Sequence, residues 1–598
     1  MPPARWALLS DHHALGAALA ARLPARLPGA WTMASGAPRT ALAEAAAPPA
    51  VRGSERYDGA VLCPGVPFAP AHPPRPDRAA QELARLGVAM ASLGAATGAE
   101  AKDAAPIARL VLLSSAAIYS PRTDHPGLVR ETPAVALRPA NSESRRWRDL
   151  ELRVTAIAAA ASVPLTVLRP APVVVEGGDD AWSRNLRRRT VPVLAGHDPT
   201  IQLLALEDLV EAIAAALERG RNGVYHVAPA GVVPLRAGLR LAGSRPVPGA
   251  RLLRAAPLGG SLVPLDYLRN SFTVSGEKAL RELALPPART SAAVARGSAR
   301  AAEAGDSPSW DAFGYDPDYC RRFGRTLWRF AHDVWWRVEV AGLEHVPREG
   351  AAVLAGIHRG YMPMDAIMLL HLFLRDLERA PRFLVHPALF KLPFIASFIA
   401  KIGGVFACQE NADLLLARGD IVGVLPEGVR GAFSEYRDAY RIKKFGRDDF
   451  ARIALRNRAP ILPFVTIGPA ESMPILRLWQ WGWWKRTLGW PGFPITPTFP
   501  FLPPLPTKWH TLFLPPLHVA SEYPPEAAGD RDVVREISAR YRRQLEAGLG
   551  AMLGRRTSIW RGSIFDGWEG APAGAVRADA GAGHASRGRR RREDDPRE

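Results

Sequence analysis

Four short blocks between His358 and Pro463 hold the side chains best suited to chemistry. They are His358-Arg-Gly-Tyr-Met-Pro-Met-Asp365, Gly404-Val-Phe406, Leu425-Pro-Glu-Gly-Val-Arg430 and Pro460-Ile-Leu-Pro463. A neutral imidazole takes a proton from a hydroxyl near neutral pH. A carboxylate behind it fixes the tautomer and stabilises the imidazolium as it forms. His358 and Asp365 are of the right types for that pair. Taken alone, the same residues also fit a surface histidine and an aspartate favoured at a helix start by the helix dipole.

The elements that must position them read directly from the pattern. Residues 351–357 are an apolar strand, so His358 falls in the loop that leaves it. Pro363 suits the first turn of a helix that would carry Asp365. Residues 420–425 are a second short buried strand, and Pro426-Glu-Gly428 breaks it at its end, where α/β proteins build sites. Arg430 can offer a planar fork to a phosphate; the alternative is an ordinary turn with a solvated arginine.

The order of the four blocks resembles the glycerophosphate and lysophosphatidic acid acyltransferase family, with its His-and-Asp motif, aromatic block, Pro-Glu-Gly block and closing Pro-containing strand. The resemblance implies an α/β acyltransferase domain that moves an acyl group from acyl-CoA or acyl carrier protein to the hydroxyl of a (phospho)glycerolipid, as in phospholipid biosynthesis. The nucleophile is then the acceptor's own hydroxyl, and the step implies no metal and no redox cofactor. By the same resemblance His358 and Asp365 are catalytic, and Glu427, Gly428 and Arg430 help form the pocket for a phosphorylated acceptor. Two details depart from the family. Six residues separate His358 from Asp365 where four are usual, and Gln409 stands where an arginine often follows the Phe406 block. Lys443 and Lys444 are candidates to replace that arginine.

At 598 residues the chain exceeds one ordinary core, so two or more domains are expected. The boundaries predicted are a Rossmann-like parallel-sheet domain over 1–285, a linker over 286–315, an acyltransferase domain over 316–565 and a disordered basic tail over 566–598. The net charge of +19 calls for an anionic partner. A membrane surface or phosphorylated substrate fits; no recognition motif accompanies the charge, so no nucleic acid is expected. Cys63, Cys320 and Cys408 form neither a zinc pattern nor a disulfide framework, which fits a reducing cytosol. No run of apolar residues is long enough to span a bilayer, and Asp11, His12 and His13 interrupt the N-terminus where a signal peptide would be apolar. A cytoplasmic protein, peripheral on the inner face of the membrane, is expected.

The first half alternates apolar strands with Ala/Leu-rich helices. Ala108-Arg-Leu-Val-Leu-Leu-Ser-Ser115-Ala-Ala-Ile-Tyr119, Leu168-Arg-Pro170, Ile201-Gln-Leu-Leu-Ala-Leu-Glu-Asp208 and Gly223-Val-Tyr-His-Val227 resemble the extended short-chain dehydrogenase and NAD-dependent epimerase family. That family needs a Gly-rich turn against the pyrophosphate. Here the turn is Ser10-Asp-His-His-Ala-Leu-Gly16, with one glycine left and Asp11 set against a phosphate. The Tyr-x-x-x-Lys that should follow Ser115 reads Asn141-Ser-Glu-Ser-Arg145. The domain is read as a dehydrogenase-like fold without its reaction, a binder of a ligand or partner or a scaffold, and no cofactor is assigned to it. The alternatives are an NAD(P)-dependent epimerase or reductase acting on a lipid or sugar, and a non-catalytic lipid-surface scaffold.

Between the halves, Tyr319, Phe323, Leu327, Phe330 and Val334 recur at helical spacing, widened by Trp328, Trp335 and Trp336 and flanked by Arg321, Arg322, Arg325 and Arg329. This predicts either an interfacial helix or a core helix. Trp479-Gln-Trp-Gly-Trp-Trp-Lys-Arg486 predicts an interfacial belt, an acyl-channel lining or buried core. Residues 530–553 read as a closing amphipathic helix.

Overall fold

The structure is a computed structural model of the chain. It describes residues 4–10, 13–35, 57–65, 68, 107–121, 127–178, 180–229, 231–249, 265–298, 310–311, 313–443, 445, 448–480, 482, 490–498 and 502–568. The sequence readings made on Asp11, Lys444, Lys485, Arg486 and most of the basic tail fall outside these residues.

The first half is built on β1 (Arg5–Ser10), β2 (Ala30–Ser35), β3 (Gly59–Cys63), β4 (Leu110–Leu113), β5 (Leu165–Pro170) and β6 (Gly223–Val227). They form one sheet in the order β6-β5-β4-β3-β1-β2, every pair parallel. Strands such as Gly59-Ala-Val-Leu-Cys63 are buried along their whole length. That is the pattern of a parallel sheet with both faces covered. The flanking helices include α1 (His13–Arg26), α2 (Ser142–Ala160) and α3 (Leu206–Arg219), and α4 (Ser291–Gly297) and α5 (Pro317–Phe323) follow in the chain. The strand order reverses at β1, between β2 and β3, which is the Rossmann-like arrangement.

The second half is a mixed sheet of seven strands. They are β7 (Glu339–Ala341), β8 (Ala352–Gly356), β9 (Arg382–Val385), β10 (Val405–Phe406), β11 (Ile421–Val424), β12 (Ile461–Ile467) and, later in the chain, the strand His510–Phe513. The order is β7, His510–Phe513, β12, β8, β11, β9, β10. The five from β12 to β10 run parallel to one another, and β12 pairs antiparallel with His510–Phe513, so the carboxyl ends of the five share one edge. Helices α6 (Met364–Asp376), α7 (Ile395–Lys401), α8 (Gln409–Ala417), α9 (Gly428–Ala432), α10 (Asp449–Arg456) and α11 (Arg531–Arg555) complete this half. Close packing depends on small residues in two strands: a Cβ on Gly356 would stand 2.4 Å from the Phe464 ring, and one on Gly423 2.4 Å from Phe383.

The stretch expected to be a linker is partly structured. Ser291–Gly297 is helical, capped by the Thr290 hydroxyl, and Val294 and Ala295 enter the core of the first half. Its buried face is made of Ser, Ala and Val, which carries little apolar signal in the sequence. Beyond it, Pro317–Phe323 is α-helical, and Gly324–Trp328 and Phe330–Trp335 continue as wide π-type turns. The Trp336 N–H donates five residues back, to Ala331 O at 2.9 Å. The cause is a buried period of four. Cys320, Trp328, His332 and Trp336 face inward, and turns wider than 3.6 residues keep them in line. Trp336 stacks on Trp509 with ring centres 4.2 Å apart. Among the described residues no helix is long and apolar enough to cross a membrane.

Candidate active site

β8 ends at Gly356, and the chain leaves its carboxyl end through Ile357, His358 and a loop before α6. Gly360, at φ +83°, turns this loop in a space where a Cβ would lie 3.0 Å from Met473 Cε. Pro363 O accepts from the Ile367 N–H at 3.1 Å, which starts α6 and puts Asp365 in its first turn. The result closes the six-residue gap. His358 Nδ1 lies 2.7 Å from Asp365 Oδ2, and Asp365 Oδ1 accepts the Ala366 N–H at 2.8 Å. Asp365 is buried, while 11% of the His358 side chain is exposed. With Nδ1–H donated to the carboxylate, Nε2 is the basic nitrogen of the ring, and it has no hydrogen-bond partner among the described residues.

Arg359, the next residue, is one that sequence reasoning passed over. Its guanidinium is fully buried and forms an ion pair with the equally buried Glu427. It also donates to His358 O at 2.8 Å, to Arg441 O at 3.1 Å and to Ala439 O. Glu427 accepts in addition from the Lys443 N–H. One side chain thus ties the histidine loop of β8 to the Pro-Glu-Gly turn of its neighbour β11 and to the 439–443 loop. The available signal was Arg359 and Glu427 together: two opposite charges at the ends of adjacent buried strands.

The residues expected to hold a phosphate are dispersed. Glu427 spends its oxygens inside the protein. Gly428 and Arg430 are exposed on the short turn of helix after β11, Gly428 at φ +56°. Gln409 Oε1 accepts from Arg456 at 3.1 Å. Lys443 Nζ sits 3.6 Å from Asp438. Beside the histidine loop, Tyr361, Phe433 and Trp490 form an aromatic run, with ring centres 6.5 and 5.3 Å apart.

A family model described as Acyltransferase matches residues 337–467, the stretch from β7 to the end of β12. An uncharacterized protein of Mycobacterium tuberculosis is 38% identical over 265 residues, covering 42% of this chain and 72% of its own length. The chain belongs to the acyltransferase family. More distantly, the bovine protein named DGAT1/2-independent enzyme synthesizing storage lipids is 28% identical over 167 residues, which is 27% of this chain and 49% of that protein. Solved structures also match, such as the UDP-N-acetylglucosamine 4-epimerase of Bacillus cereus, at 11% identity and a TM-score of 0.34. That match covers 49% of this acyltransferase chain and 95% of the epimerase.

In the first half of this acyltransferase, the positions of the expected dehydrogenase site have structural work. Asn141 caps α2, its Oδ1 accepting the Ser144 N–H at 2.8 Å. Arg145 is exposed. Ser115 is a buried cap whose hydroxyl accepts the Ala117 N–H at 3.1 Å. A Cβ on Gly16 would clash with Ser10, 2.2 Å from its Oγ, so this glycine serves close packing of helix on strand. Arg169 of Leu168-Arg-Pro170 is fully buried and paired in two bonds with Glu151, at 2.8 and 2.6 Å. Tyr119 Oη lies 2.7 Å from His226 Nε2. Burial lowers the His226 pKa to about 3, so the ring is neutral.

Proposed function

We propose that the protein transfers a fatty acyl group from an acyl thioester, acyl-CoA or acyl carrier protein, to the hydroxyl of a glycerolipid held at the inner face of a membrane. The observation that carries this is the 2.7 Å bond between His358 and buried Asp365 at the carboxyl end of β8 in an acyltransferase. His358 Nε2 takes the acceptor's hydroxyl proton. The oxygen attacks the thioester carbon and gives a tetrahedral oxyanion. Collapse breaks the C–S bond, and the imidazolium returns its proton to the departing thiolate. Asp365 holds the imidazole in the tautomer that leaves Nε2 basic. This step uses no metal and no redox cofactor.

Two acceptor classes divide on one observation. A phosphorylated acceptor, such as a lysophosphatidic acid, would draw on Arg430 and place the enzyme in phospholipid biosynthesis. A neutral acceptor, such as a diacylglycerol, is favoured by the commitment of Glu427 to Arg359 and of Gln409 to Arg456, and by the name of the bovine relative. A labelled acyl-CoA assay with each acceptor, on the native protein and Arg430→Ala, tests this. A loss only with the phosphorylated acceptor supports the phosphate reading. Turnover of diacylglycerol untouched by Arg430→Ala supports the neutral one. No product from any glycerolipid would overturn both.

A further inference from the structure

Two exposed apolar surfaces flank the matched stretch 337–467, one before it and one after. The first is the segment from Pro317 to Trp335. With Trp328, His332 and Trp336 turned inward, Leu327 and Val334 are each 58% exposed, and Phe330 is 50% exposed. The second is an antiparallel ribbon made of β13 (Arg477–Trp479) and β14 (Phe493–Ile495). There Leu476, Trp479, Phe493 and Ile495 face solvent, as does Leu502 beyond it. Side chains of this kind gain by burial, so a row of them on the surface marks a face that meets something.

The two surfaces are fastened together. The Trp335 indole donates to Pro504 O at 2.9 Å and the Trp336 indole to Leu505 O at 3.1 Å. The Leu505 N–H donates to Ser472 O at 2.8 Å, and the Leu476 N–H to Ile495 O at 2.9 Å. The ribbon in turn reaches the histidine loop through Trp490, Phe433 and Tyr361. Packing through the buried Phe433 ring therefore joins the ribbon to the loop that carries His358.

We propose that these two elements form one docking rim for an anionic lipid bilayer, set so that a lipid acceptor enters the site from the bilayer. Charge selects this partner. The segment from Pro317 to Trp335 carries Arg321, Arg322, Arg325 and Arg329 against Asp318 and Asp333. Arg321 pairs with Asp318, and Arg329 with Asp333 at 3.5 Å. Arg322 and Arg325 are exposed and have no carboxylate partner among the described residues. At four residues per turn Arg321, Arg325 and Arg329 form a row beside Phe330 and Val334. A cationic row beside an apolar one is what an interface-bound helix presents to acidic headgroups.

The proposal rests on the acyltransferase reading only for the acceptor's route; docking itself is measured without turnover. The full chain is sedimented with phosphatidylcholine vesicles, with and without phosphatidylglycerol. Leu327→Gln/Phe330→Gln/Val334→Gln and Leu476→Gln/Ile495→Gln are each expected to weaken partition by at least about tenfold. Arg322→Gln/Arg325→Gln is expected to weaken it by about tenfold or more on the anionic vesicles alone. All three should keep the native circular dichroism and the native rate on a water-soluble short-chain acceptor. The proposal is overturned if the native chain stays in the supernatant, or if both apolar variants bind like it. It is equally overturned if those variants abolish a dimer in ultracentrifugation and leave vesicle binding intact, which would make a second copy the occupant. Docking without acylation of any lipid would sink the acceptor reading and leave the rim standing.

Discussion

Arg359 cannot reach a substrate, yet its removal should be felt at the reaction. It is buried, and its donors are taken by Glu427 and three carbonyls. Arg359→Ala leaves the Glu427 carboxylate buried without a cation, and Glu427→Gln does the same to the guanidinium. Each should destabilise the fold by about 3–5 kcal/mol, and the double replacement by less than the sum. Urea titration of the four proteins checks this; additive losses would mean that the pair is not coupled. The catalytic residue types and the block order were legible because His, Asp and Pro-Glu-Gly stand at the ends of apolar runs. Arg359 was not legible, since an arginine beside a loop histidine reads as solvated until its partner strand is known to be adjacent. The roles of Glu427 and Arg430 in phosphate binding came from the resemblance, and their placement makes Glu427 a structural anchor.

The elements show where local pattern and packing part. The strands β8 and β11 and helix α6 could be read from apolar runs and from Pro363. The segment from Pro317 to Trp335 could not be read fully, because its apolar residues suit a period of 3.6 while its buried ones repeat every four. Trp328 and Trp336 pack inside, as a core helix requires, while Leu327, Phe330 and Val334 are exposed. Trp336→Ala removes the ring stacked on Trp509 and should cost about 3–5 kcal/mol. An unchanged melting midpoint would show that the wide turns do not depend on that stack. Gly342 offers a second check. It sits at φ +76°, and a Cβ there would come within 2.0 Å of Phe513 O, a backbone atom with little room to move. Gly342→Ala should therefore destabilise the β7 edge of the sheet by more than about 1 kcal/mol, read as a lower urea midpoint with an unchanged slope.

At the scale of the molecule, the Rossmann-like half and the acyltransferase half meet in a few specific contacts. The Gly127 N–H donates to Asn411 Oδ1 at 2.9 Å, and Lys401 lies 3.6 Å from Asp198. Stability should depend on pH through buried His371, whose pKa burial lowers from 6.5 to about 4, with the nearby charges of His332 and Arg375 acting in the same direction. The unfolded chain then takes up this proton first. Stability is complete above about pH 6.5 and falls as the pH drops towards 4. His371→Gln should flatten that fall in urea midpoints between pH 7 and 5; an unchanged slope would assign it to other groups. The most direct test of the whole account is transfer of labelled acyl groups from acyl-CoA to glycerolipid acceptors by the native chain, His358→Ala and Asp365→Asn. The account predicts product with the native chain and a loss of at least about a hundredfold in each variant. Equal rates in all three would contradict it.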